Sequence, residues 1–157
     1  MPLRLFAAPI ALATATSISA QAVETAPKVD FSTSAAAAGS WSYRGVPGGS
    51  EARFVDTTGT ARLVLRCTKA SRQISLSHTS AVSAPSLLVW TSSASRNLPA
   101  RFEPNAMRVT AELAAFDVLL DAIAFSRGRI AVMMGGGSPL VVPAWPEAAR
   151  TIEDCRI

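Results

Sequence analysis

Acid–base or covalent chemistry needs a nucleophile, a base or a metal ligand, and this sequence offers few of them. His78 is its one histidine. A hydrolytic triad would need it beside a serine and a carboxylate, and serines and aspartates are plentiful, but no Gly-x-Ser-x-Gly elbow occurs. In "RQISLSH", His78 alternates in phase with Ile74 and Leu76, which places it on the apolar face of a strand end. Metal sites gather several His, Cys or carboxylate ligands, so neither a metal nor another cofactor is expected. "GGGS" at 135–138 lacks the lysine of a phosphate loop and joins two β-like runs, as does "PGGS" at 47–50; both read as hairpin turns. Asp117 and Asp121 lie one helical turn apart on the polar side of an amphipathic segment, a solvated pair rather than paired catalytic acids. No catalytic residue is assigned.

The arginines are the most suggestive polar feature. Only Lys28 and Lys69 are lysines, and 15 basic residues face 11 acidic ones, for a net charge of +4. That excess is too small to imply nucleic-acid binding, and no aromatics interleave the arginines to stack on bases. Arg62 and Arg66 project from the outer face of one strand, with Arg44, Arg53 and Arg72 on its neighbours, a cluster suited to an anionic envelope component or an acidic protein surface.

The first residues carry an address. "MPLRLFAAPIALATATSISAQA" has a basic Arg4, an apolar run from Leu5 to about Thr16, and the small-x-small ending Ala20-Gln21-Ala22. This predicts a signal peptide over residues 1–22, cleaved after Ala22, and a periplasmic or secreted protein whose mature form has no transmembrane segment. Cleavage removes Arg4 alone and leaves a net charge of +3. Outside the cytoplasm thiols are oxidised, and two cysteines allow one intramolecular pairing, Cys67–Cys155.

The elements that must position these residues follow. Residues 23–39 mix small and polar side chains without a period and predict a flexible lead-in; 40–157 are expected to form one domain, and the whole chain's hydrophobic content of 49% argues against disorder over most of it. Its first part alternates with period two. In "ARLVLRCT", Leu63, Leu65 and Cys67 share the inward face. "SLLVWTSS" is a continuous apolar run of the kind a central strand shows, and Pro99 marks an edge strand or bulge. A helical period appears around Phe116, Leu119, Leu120 and Ile123, then two strands joined by the glycine-rich turn. A last helix puts Trp145, Ala148, Ala149, Ile152 and Cys155 on one stripe, with Glu147–Arg150 and Arg150–Asp154 pairs opposite. The disulfide would clamp this helix onto the sheet.

"GSWSYR", "RLVLRCT" and "TIEDCRI", spread over the last two-thirds of the chain, resemble small exported bacterial proteins of the invasion-associated locus B type. The resemblance implies export and an envelope location, and carries no site residues. The expected fold is β-rich (α+β), an antiparallel β-sandwich or open barrel with two helices. Its expected core is Trp41, Phe54, Leu63, Leu65, Leu76, Val89, Phe116, Leu120, Ile130, Val132, Trp145 and Ile152. The expected function is non-enzymatic: binding or supporting an envelope component. The alternatives are a small exported hydrolase using His78 with a serine and a carboxylate, and a structural envelope protein without a specific ligand.

Overall fold

Turn chemistry lays out the first sheet. Strands β1 (Gly39–Val46) and β2 (Gly49–Asp56) meet at Pro47-Gly48, where proline presets the first corner and Gly48, at φ +77°, takes the second. Gly49 follows because a Cβ there would collide with the Cys67 carbonyl oxygen on the next strand. Between β2 and β3 (Ala61–Thr68), Asp56 Oδ1 accepts hydrogen bonds from the backbone N–H groups of Thr58 and Thr60, at 2.9 and 3.0 Å, and fixes the turn. Strand β4 (Gln73–Thr79) completes a four-strand meander.

The computed structural model describes residues 30–157; the expected leader and residues 23–29 of the lead-in lie outside the described residues. Strands β7 (Arg101–Glu103) and β8 (Arg108–Ala114) complete the first sheet, in the order β1-β2-β3-β4-β8-β7. Strands β5 (Ser86–Trp90), β6 (Ser95–Pro99), β9 (Arg129–Met134) and β10 (Leu140–Pro143) form a second sheet, in the order β10-β9-β5-β6. All pairings are antiparallel. Pro99 ends β6, an edge strand, where a missing N–H costs no ladder bond.

The sheets face each other across one core. Trp41, Phe54, Leu63, Leu65, Ile74, Leu76 and Val109 from the first sheet meet Leu87, Val89, Leu98, Ile130, Val132 and Val142 from the second. Trp41 also donates its indole N–H to the Pro143 carbonyl at 2.8 Å, which ties β1 to the end of β10. Helix α2 (Pro146–Asp154) rests on β1, β2 and β3, and α1 (Val118–Ala124) rests on α2. The Cys67–Cys155 disulfide, with Cα atoms 5.4 Å apart and both cysteines buried, joins the end of α2 to the inner face of β3.

Several expectations are corrected. Phe116 is 63% exposed, because Asp117 caps α1 by accepting from the Leu119 N–H, so the helix begins after Phe116 and the phenyl ring falls outside its buried face. Asp117 and Asp121 therefore do not form one solvated pair: Asp117 binds Arg96 at 2.8 Å and Asp121 binds Arg156 at 2.7 Å. Trp145 is 43% exposed, since it is the extended residue before Pro146 and does not share the helical phase; Thr151 takes a buried place beside Ala148 and Ile152. Arg150 lies over the Tyr43 ring at 4.1 Å and Asp154 accepts the Tyr43 hydroxyl at 2.5 Å, contacts across to β1 that add to the charge interaction of Arg150 with Asp154 within the helix. Within the lead-in, Phe31 is buried against Trp90, Ala131 and Val141, and the Ala37 N–H donates to the Val141 carbonyl, so these two residues are held on the second sheet while most of their described neighbours are exposed.

Candidate anion-binding face

Alternation along the strands of the first sheet sends one set of side chains to the core and the other outward. The outward set includes Arg44 on β1, Glu51 and Arg53 on β2, Arg62, Val64 and Arg66 on β3, Ser75 and Ser77 on β4, Thr110 and Glu112 on β8, and Arg101 on β7. Register then builds a row across five strands: Arg44 opposite Glu51, Glu51 opposite Arg66, Arg66 opposite Ser75, Ser75 opposite Glu112. Arg53 lies two residues from Glu51 on the same strand and shares its face.

The consequence is a carboxylate surrounded by three guanidinium groups. Glu51 is only 5% exposed. Arg44 donates to its Oε1 from Nε at 3.2 Å and from Nη2 at 2.9 Å. Arg53 Nε lies 3.2 Å from the same oxygen but out of line for a hydrogen bond, and Arg66 Nη1 lies 3.6 Å from Oε2. The arginine side chains keep much of their surface in solvent, at 57, 31 and 43%. One buried negative charge therefore holds three positive ones, a local excess of two. Neighbouring Ser77 and Thr110 share a 2.9 Å hydroxyl–hydroxyl bond, and with Val64 they form a buried centre between the longer side chains.

Of the five arginines picked from the sequence, Arg44, Arg53 and Arg66 converge in this cluster. Arg62 lies on the same face but pairs with Asp56 at 3.4 Å. The Thr58 hydroxyl leads in holding Asp56 below the usual carboxylate range, with burial opposing and the Thr58 and Thr60 N–H groups and Arg62 assisting. Arg72 does not belong to the face: it occupies the turn between β3 and β4 in a left-handed conformation, φ +49°. Arg101 and Arg108 were missed, although their alternation with the inward residues Phe102 and Val109 was available in "RFE" and "MRVTAEL". Arg101 approaches Glu103 and Glu112 at 3.3 and 3.5 Å. Burial, with Glu103 adding to it and Arg101 opposing, raises the pKa of Glu112, so acidification makes this face more positive.

His78 is placed as its phase implied, on the inner face between Leu63 and Val109, and it is buried. Its Nδ1 has no well-formed hydrogen bond. Burial first, then the Arg62 charge, lowers its pKa from 6.5, with a weaker opposing backbone interaction at Thr79. His78 lines neither of two surface hollows. The bigger, about 680 Å³, is bordered by Asp30, Ser32 and residues 90–95 at the β5–β6 turn; the other, about 370 Å³, by Tyr43, Pro146, Glu147 and Arg150. Neither touches the arginine cluster. Among the described residues no group of His, Cys, Asp and Glu has the arrangement of a metal site, and no helix is long and apolar enough to cross a membrane.

In comparisons with known proteins, no family model matches the chain, and no curated protein or solved structure is significantly similar to it.

Proposed function

We propose that the protein is a non-enzymatic, exported binding domain whose outward arginine face engages an anionic component of the cell envelope. One observation carries this reading: Arg44, Arg53 and Arg66 gather on an open sheet face around one buried carboxylate, with donors left over. Among the described residues, the second sheet and both helices pack on the opposite, inner side. The leader-like first 22 residues and the resemblance to small envelope proteins support the location, and the disulfide fits it, because such bonds persist in oxidising compartments. The hydrolase alternative has less behind it, since His78 has no serine or carboxylate bonded to it among the described residues.

Retention on a heparin column against rising salt tests the binding. Wild-type protein should be retained, and a variant with Arg44, Arg53 and Arg66 changed to Gln should lose most of its retention. A variant with Arg127, Arg129 and Arg150 changed to Gln should be retained nearly as well as wild type. Equal losses in the two variants would reduce the face to net charge alone. Export is checked by intact mass after expression with the leader and thiol alkylation. A chain cut after Ala22, alkylated only after reduction, is the expected species.

A further inference from the structure

We infer that Arg44, Arg53 and Arg66, held by Glu51, form a seat for a phosphate monoester displayed on a membrane surface. This rests on the anion-binding reading and names the ligand chemistry of the same face.

A guanidinium carries five N–H donors in a planar fork. Arg44 turns one edge, Nε and Nη2, onto Glu51 Oε1, Arg53 sets Nε beside that oxygen, and Arg66 sets Nη1 toward Oε2. Each keeps further N–H groups free of Glu51, and each side chain is partly solvent-exposed. Glu51 itself is almost fully covered, so an incoming anion meets the guanidinium groups and not the carboxylate. The excess charge of the four groups is two, which matches a monoester dianion, whose second ionisation lies near pH 6. A monoester also offers three acceptor oxygens to three guanidinium groups, whereas a carboxylate offers two and satisfies one fork.

Shape decides between a free phosphate and one fixed to a surface. The cluster lies on a sheet face, outside the two hollows at residues 90–95 and beside Tyr43, and an open sheet face encloses a small solute poorly. An open basic face instead suits a layer of headgroups; Arg62, Arg101 and Arg108 on the same face are balanced by Asp56, Glu103 and Glu112, so the net excess stays at the three-arginine cluster. Glu51 is a positioning residue in this scheme. It lowers the total positive charge, yet it fixes where the three forks stand.

The test is sedimentation of the purified protein with phosphatidylcholine vesicles doped with phosphatidic acid, a monoester, or with phosphatidylglycerol, a diester, at matched surface charge and neutral pH. The seat predicts about a tenfold preference for phosphatidic acid, the gain expected of added bidentate charge-assisted bonds. Changing Arg44, Arg53 and Arg66 to Gln should abolish the preference. Changing Arg62, Arg101 and Arg108 to Gln should weaken binding to both vesicles and keep it. Glu51→Gln is the sharpest variant: simple charge arithmetic predicts tighter binding to both vesicles, whereas a positioned seat predicts loss of the preference in a protein shown folded by circular dichroism. Equal binding of both lipids by wild type would overturn the seat and leave the anion-binding reading standing. Binding to neither vesicle would also overturn it, and retention on heparin would then show whether the broader reading survives.

Discussion

The two sheets present outer faces of opposite character. On the second sheet the outward residues include Trp90, Ala131 and Val141, and Phe31 from the segment before β1 covers them, its ring meeting the Trp90 indole edge-on at 5.8 Å. On the first sheet the outward residues are mostly arginines, carboxylates and small hydroxyl side chains, with Val64 among them. Both faces are built by the same antiparallel geometry, so the difference lies in what the sequence places at alternate positions. A sheet that is apolar on both sides needs a cover on each, and a sheet with one polar side can leave that side to a partner. On the proposed binding reading, the contrast assigns binding to the first sheet and part of the stability to the second.

Removing the feature that ties the first sheet's inner face to α2 should have the largest effect. Changing Cys67 and Cys155 together to Ala opens a loop of sequence separation 88, worth about 4–5 kcal/mol in the chain-entropy description. Urea unfolding should show that loss, with anion binding retained at temperatures where the variant stays folded. Next comes the cover of the second sheet. Phe31→Ala should cost about 2–3 kcal/mol, below a full core phenylalanine because the cluster around it is small. It should leave heparin retention unchanged; a parallel fall in retention would join the two faces into one functional unit.

Acid sharpens the comparison from inside. His78 titrates below 6.5 in the folded chain, so the unfolded chain takes up a proton first as the pH falls. Its contribution to stability is present above about 6.5 and is lost as the pH drops through the lowered folded value. Thermal unfolding between pH 7 and 5 should show this loss, and His78→Gln should flatten it. The smallest effect belongs to the arginine face. Arg62→Gln should change stability by less than about 1 kcal/mol, because its pairing with Asp56 is partly exposed.

Much of this arrangement was legible in the sequence. Strict alternation in "ARLVLRCT" and "RQISLSH" put Leu63, Leu65, Cys67, Ile74 and Leu76 inward, and the continuous run "SLLVW" marked β5 as a strand between neighbours. The disulfide followed from compartment and count. What escaped depended on register and on caps. Glu51 is an ordinary acidic residue in "SEARFVD" until pairing sets Arg44 on one side of it and Arg66 on the other. Phe116 and Trp145 were misplaced because one N-cap and one proline decide where a helical period begins. Phe31 gave no periodic signal; its burial is a long-range contact with Trp90.

The most direct test is an NMR footprint. Arginine side-chain Nε–Hε resonances and backbone amides would be followed while a short heparin oligosaccharide is added. The account predicts shifts at Arg44, Arg53 and Arg66 and at the β1–β4 amides beneath them, with Trp90, Ser92 and Arg150 unmoved. A footprint centred on the hollow at residues 90–95, or one spread evenly over all arginines, would contradict it.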